Sequence, residues 1–199
     1  MLGLLAPTLI ALIAVPLFGG SLRRVVNSEI RGWPLIVGCF ALELLLYNPP
    51  LNAQAWAFKV GPGVWLITRL VFLGVLIGNG WPTRQPLAWP WWLAALGLAL
   101  NTLVIAANGG HMPQSAEAAL AVWGASHIDP TRLQNVVPMV AETRLAWLGD
   151  IFAEPRWLPR PNVISLGDIL LALGIASWVF NCAKMSQLVT VPARPLSKP

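Results

Sequence analysis

Four side chains stand out because their types are costly where they sit. Glu43, Arg69, Asn101 and Asp168 fall inside stretches of otherwise apolar sequence. Ionisable groups in such segments face protein or water, and they mark proton relays, ion paths or clamps between helices. Arg69 keeps its charge, so it needs Glu43, Asp168 or both as counter-ion. One guanidinium against two carboxylates leaves one acid over. Desolvation raises a carboxyl pKa, so that acid could carry a proton, as proton-coupled transport or acid–base chemistry requires. The plainer reading is a polar clamp that fixes helix packing, each bond worth about 0.6–2 kcal/mol.

A second set lies between the apolar stretches. Leu-Gly-Asp-Ile occurs at 148 and again at 166. An Asp at a helix start accepts backbone N–H bonds and favours the positive dipole end, so Asp150 reads as a helix cap. Asp168 falls a turn or more inside its predicted helix, where capping explains it less well. Asp150 and Asp168 together could hold Mg²⁺, but no Arg/Lys cluster accompanies them to bind a phosphate. His111 and His127 are two isolated imidazoles without a third ligand, a poor zinc set. Ser115 and Ser126 lie near them in sequence without a nucleophile motif. No catalytic residue and no metal site is therefore expected. Cys39 and Cys182 read as free, packed thiols.

The elements that position these residues follow from composition. The chain has 199 residues, of which 56% are hydrophobic and 11% charged. A soluble domain carries about 25% charged residues. With 11 Trp and two Cys, the composition excludes a soluble globular domain, a disordered chain, a disulfide scaffold and a nucleic-acid partner. The net charge of +5 rests on 13 Lys and Arg, which fits the cytoplasmic rim of a membrane protein. Five stretches approach the roughly 20 apolar residues a bilayer needs: residues 2–20, 33–47, 63–80, 89–107 and 163–183. They predict one all-α integral membrane domain over 1–199. It is a bundle of about five transmembrane helices with an external segment at 108–162 and a cytoplasmic tail at 184–199. Asn48-Pro49-Pro50, Gly61-Pro62-Gly63, Trp81-Pro82 and Trp89-Pro90 mark the helix boundaries. The Trp residues cluster at these ends, as an interfacial belt does.

Arg23, Arg24 and Arg31 follow the first span rather than precede it. That is the order of an uncleaved helix that enters with its N-terminus outside. The positive-inside rule then puts the N-terminus out and the C-terminus in, with Lys59 the one basic residue in the short external loop. In this topology Glu43, Arg69, Asn101 and Asp168 share one layer, about 8–10 Å below the external helix ends at 1.5 Å per residue. On the third span Gly74-x-x-x-Gly78 forms a close-packing motif. Gly78 lies about 180° from Arg69 around that helix, so both faces want protein contact. On the last span Asp168, Ala172 and Ala176 form a small-residue stripe.

The external segment opens with Asn108-Gly109-Gly110-His111-Met112-Pro113, whose glycines permit a sharp turn off the fourth helix. Residues 114–125 read as a short helix whose Ala118, Ala119, Ala121 and Val122 could lie on the membrane interface. Residues 139–147 are weakly helical. The pattern Asn-Gly-Gly-x-Met-Pro, followed by Ser115, Glu117, Ala118 and Leu120, resembles an uncharacterised bacterial family of small polytopic membrane proteins catalogued as a domain of unknown function. The resemblance continues at Leu148-Gly149-Asp150-Ile151 and at Ser165-Leu166-Gly167-Asp168, and covers about residues 90–180. Arg31-Gly32-Trp33 matches more weakly. The resemblance implies residence in the bacterial cytoplasmic membrane and carries no activity. Glu43 and Arg69 belong to none of its motifs.

The function expected first is a non-catalytic accessory, assembly or scaffolding subunit of a membrane complex. Its partner, or a second copy, would dock through the third span and residues 108–162. The alternatives are a small proton-coupled transporter built on Glu43, Arg69 and Asp168, and an outer-leaflet lipid-directed enzyme using Asp150, Asp168 and His111. No cofactor is required by any motif. Bound lipid is expected, and a pigment or quinone is a variant of the first reading.

Overall fold

The computed structural model describes residues 2–81, 88–124 and 131–184, with side chains from Pro7 onward. His127, Ser126, Arg84 and the tail beyond Lys184 lie outside the described residues. Seven helices run in chain order: α1 (Leu2–Leu17), α2 (Leu22–Val26), α3 (Trp33–Leu46), α4 (Ala55–Gly80), α5 (Trp89–Ala107), α6 (Ala116–Trp123) and α7 (Leu166–Lys184). Three of them, α4, α5 and α7, are long and apolar enough to cross a membrane. The other two expected spans are short. At 1.5 Å per residue, α1 reaches about 24 Å and α3 about 21 Å, against a hydrocarbon core of roughly 30 Å. α3 stops because Asn48 and Pro49 each precede a proline, which disfavours helical backbone.

Two boundaries differ from the sequence expectation. α4 begins at Ala55 rather than Gly63, and Gly61-Pro62-Gly63 lies inside it. Pro62 removes one N–H near the start of a 26-residue helix, and the turns on either side hold. Gly61 is required there because Leu133 sits where a Cβ would go, while the Tyr47 hydroxyl donates to the Gly61 carbonyl at 2.9 Å. α7 begins at Leu166 rather than Val163, because Val163–Ile164 is a strand.

The helices pack as a row rather than as a closed bundle. α1 lies on α7, α7 on α5, α5 on α4 and α4 on α3, with α2 also touching α7. The α5–α7 crossing is the closest. A Cβ on Gly174 would stand 2.5 Å from the Ala94 amide nitrogen, and a Cβ on Gly97 would meet the Gly167 carbonyl. Small residues at such crossings let backbones approach. α3 is an end helix that turns Ile36, Cys39, Glu43 and Leu46 toward α4, spaced as one helical face. Its other residues, including Trp33, Leu35, Val37, Leu42, Leu44 and Leu45, are exposed apolar surface.

Gly74 and Gly78 pack against none of the described residues. An added Cβ at either meets open space. They continue an exposed line on α4 formed by Val60, Gly63, Ile67 and Leu70.

The segment 108–162 holds a small β component that an all-α expectation omits. The strands are β1 (Met112–Gln114), β2 (Val136–Pro138), β3 (Phe152–Ala153) and β4 (Val163–Ile164). β1 pairs parallel with β2, and β3 pairs antiparallel with β4. On its other edge β1 bridges Asp150 through Gln114. Residues 139–147 form turns instead of a helix, with a single 3-10 turn at Ala146–Leu148. α6 confirms the short helix, but Ala118 and Val122 pack on Val163 of β4 rather than on an interface, and Ala121 is exposed. Ser115 caps its first turn, and the Arg156 guanidinium donates to the Leu120 and Ala121 carbonyls at its end.

Candidate functional site

The start of α7 is a capping box. Ser165 Oγ accepts from the Asp168 amide at 3.0 Å, and Asp168 Oδ2 accepts from the Ser165 amide at 3.0 Å. Asp168 is therefore in the first turn, not a turn or more inside, and capping explains half of its bonding. The other half crosses to α5. Asn101 Nδ2 donates to Asp168 Oδ1 at 2.8 Å, and Ser165 Oγ donates to Asn101 Oδ1 at 2.8 Å. Ser165 is fully buried. Gly167 makes this reach possible, since a Cβ there would collide with the Asn101 amide oxygen and the Gly97 carbonyl. The second Leu-Gly-Asp thus sets a close helix approach with its Gly and a helix cap with its Asp.

The first Leu-Gly-Asp solves a different problem. Leu148 fills the core with Trp65, Val104, Ile105 and Met112. Gly149 lies where a Cβ would stand 2.6 Å from the Pro113 carbonyl and 2.5 Å from the Met139 methyl. Asp150 then pairs with β1: its amide donates to the Pro113 carbonyl at 2.9 Å, and its carbonyl accepts from the Ser115 amide at 2.9 Å. It caps no helix, contrary to the sequence expectation. Its side chain is buried, and its carboxyl is pushed up to about 8, first by burial and then by the Asp168 carboxylate nearby. Its bridge partner Gln114 is also buried, with an amide oxygen that has no hydrogen-bond partner.

The Asn-Gly-Gly-x-Met-Pro run builds the floor of this region. Gly109 and Gly110 both adopt left-handed backbone, at φ 68° and 86°, and the Gly110 amide closes the last turn of α5 on the Ile105 carbonyl. A Cβ on Gly110 would strike Pro62 of α4. Asn108 holds the distant 144 turn through two bonds: Nδ2 donates to the Arg144 carbonyl at 2.8 Å, and Oδ1 accepts from its amide at 3.0 Å. Met112 is core, and burial holds His111 below the ordinary imidazole value while the Gly109 and Asn108 carbonyls pull it back up.

Glu43 and Arg69 form a separate pair. Arg69 Nη2 and Thr68 Oγ1 both donate to Glu43 Oε1. The guanidinium carbon lies 4.7 Å from the Phe72 ring centre and 5.7 Å from that of Trp65, over both faces. The Arg69 Nε is buried and unpartnered. The four expected residues thus divide into two pairs on different helix contacts, Glu43–Arg69 between α3 and α4 and Asn101–Asp168 between α5 and α7. Arg69 takes Glu43 alone.

Gln114 and Thr68 were not singled out from sequence, and Ser165 entered only as the first residue of the Ser-Leu-Gly-Asp motif. Ser165-x-x-Asp168 carries the capping-box spacing, which was the available signal. Gln114 has none in the sequence, because its burial follows from strand pairing 36 residues away in the chain. Asn79 was also missed. Its Oδ1 accepts from the Arg31 amide and its Nδ2 donates to the Arg31 carbonyl, both at 2.9 Å, tying the turn before α3 to α4.

Chemically, the arrangement clamps helices and buries one acid. Among the described residues, no three His, Cys, Asp or Glu side chains are grouped to hold a metal ion. No curated protein and no solved structure matches the chain. Residues 27–180, which include every residue of both polar pairs and of the Asp150 region, match the family of unknown function DUF5317, and the protein belongs to that family.

Proposed function

We propose that the chain is a non-catalytic integral membrane subunit that supports the assembly of a larger membrane complex. The observation that carries this reading is the open face of α4. Gly74 and Gly78 have the spacing of a helix-association motif and, among the described residues, nothing of their own chain within 4 Å of an added Cβ. A row of helices, unlike a closed bundle, leaves such faces available along its length. In this reading α1 and α3 join α4, α5 and α7 in the bilayer of the bacterial cytoplasmic membrane. The N-terminus and the segment 108–162 lie outside, and the C-terminus inside. The partner is a second membrane protein or a second copy, docked on α4 and the external segment.

The carrier alternative draws less support, because Asp168 is spent on a helix cap and on Asn101, and Glu43 on Arg69 and Thr68. The enzyme alternative draws less still: His111 and the two Asp carboxylates come from different turns with no cationic group beside Asp150.

The test is site-directed crosslinking in native membranes. A single cysteine at Gly78, in a background with Cys39 and Cys182 replaced by serine, should give a discrete crosslinked dimer or heteromeric product. A cysteine at exposed Leu44 of α3 should give none. Equal labelling by lipid-soluble reagent at both sites without any product from Gly78 overturns the reading.

A further inference from the structure

Asp150 and Gln114 are direct bridge partners on parallel backbone. Bridge partners send their side chains to the same side of the ladder, about 5 Å apart. Both side chains are more than nine-tenths buried, at 7% and 3% exposure. Gln114 brings an amide oxygen, an acceptor with no donor. Among the described residues, the charged group acting on the Asp150 carboxyl is the Asp168 carboxylate of α7, and its neighbour on β1 is the neutral Gln114. Both Asp168 oxygens already accept hydrogen bonds, from the Ser165 amide and from Asn101 Nδ2. A buried acid beside a second carboxyl group and an orphan acceptor has one economical solution, a proton between acid and acceptor.

We propose that Asp150 and Gln114 form a proton-operated clasp, in which the neutral Asp150 carboxyl donates its hydrogen to Gln114 Oε1 and holds β1 against residues 149–151. Deprotonation releases that hydrogen to solvent and leaves a carboxylate facing both an amide oxygen and Asp168. The external segment then loses its grip at the point where it meets α7. This inference is independent of the partner reading above.

The sign follows from linkage. The folded carboxyl sits near 8 and the free one near 3.8, so the docked segment binds a proton that the undocked segment gives up. Docking is therefore strongest below about pH 4, weakens as pH rises through the interval up to about 8, and is level above it. The other titratable group of this region, His111, is held below its ordinary imidazole value by burial.

The experiment uses the full chain in lipid nanodiscs. Hydrogen-exchange protection factors, which divide out intrinsic base catalysis, are measured for the Ser115, Asp150 and Met139 amides that hold β1 on either side. They should fall by up to about tenfold per pH unit between pH 5 and 8 and then level. Asp150→Asn should flatten that dependence. Gln114→Met, which removes the acceptor, should move the upper break down by about half a unit to one unit. Infrared spectra of the wild type with isotope-labelled aspartate should contain a protonated-carboxyl band at pH 7 that vanishes by pH 10. An unchanged pH dependence in Asp150→Asn overturns the clasp. If that variant fails to fold, the labelled wild type decides alone, and absence of the protonated band at pH 7 overturns it.

Discussion

Replacing Glu43 by alanine should detach α3 from α4. Among the described helices α4 is its main partner, and its buried face is narrow: Ile36, Cys39, Glu43 and Leu46. Glu43 is the residue of that face that neutralises a charge. Removing it leaves the Arg69 guanidinium, whose Nε already lacks a partner, with no counter-ion, and strips Thr68 of its acceptor. Breaking one side of a buried pair costs about 3–5 kcal/mol. Both side chains retain some exposure, 17% for Arg69 and 16% for Glu43, so the low end applies, about 2–3 kcal/mol. Phe40 against Phe72, with ring centres 5.0 Å apart, and the apolar face remain, so α3 opens more often without being lost. Cys39 lies one turn from Glu43 on the same face and reports the opening directly. In a Cys182→Ser background, labelling of Cys39 by a bilayer-soluble maleimide should accelerate about 30- to 160-fold in Glu43→Ala, since each 1.36 kcal/mol is a factor of ten. Glu43→Gln, which keeps an acceptor for Thr68, should fall between. Labelling of Glu43→Ala within about threefold of wild type, under 1 kcal/mol, would refute the idea that the ion pair anchors α3.

Two further outcomes follow from the close approaches. Gly167→Ala should lower thermal stability in detergent by about 1–3 kcal/mol or more through overpacking against Asn101 and Gly97, whereas Gly74→Ala, facing open space, should change monomer stability by less than about 0.5 kcal/mol; equal effects would contradict the crossing geometry. Asn108→Ala removes both side-chain bonds to the 144 turn, at about 1 kcal/mol each, so trypsin should cut after Arg144 roughly 10- to 30-fold faster, and an unchanged rate would show that other contacts hold the turn.

The apolar helices were legible because their signal is local. α5 was placed at its observed bounds, since Trp89-Pro90 starts it and Asn108-Gly109 ends it. α4 was started too late because Gly61-Pro62-Gly63 reads as a break, and what keeps it helical is tertiary: Leu133 over Gly61 and Tyr47 on its carbonyl. The polar residues in the spans were legible as a set, but their pairing was not. Depth along a helix fixes how far a side chain sits from the surface, while the neighbour it meets depends on helix order, and the order α1–α7–α5–α4–α3 separates Arg69 from Asp168. The external motifs were legible as motifs. Their reasons were hidden, because Gly149 and Asp150 serve a single bridge to β1, too short to leave a period in the sequence.

The order of that row also sets a schedule for making the protein. α1 precedes α7 in the chain, yet Ala11 and Val15 pack against Val179 and Ala183 at the far end of α7, and Arg24 donates to the Ala183 carbonyl at 2.8 Å. α7 likewise supplies the surface into which Gly97 and Ala94 of α5 fit. Until the ribosome has delivered residues 166–184, the earlier helices α1 and α5 have their most complementary faces empty. α7 is a wedge that joins them, so a nascent chain stalled anywhere in residues 108–162 holds separate pieces, and docking of α7 is the step that turns them into one body.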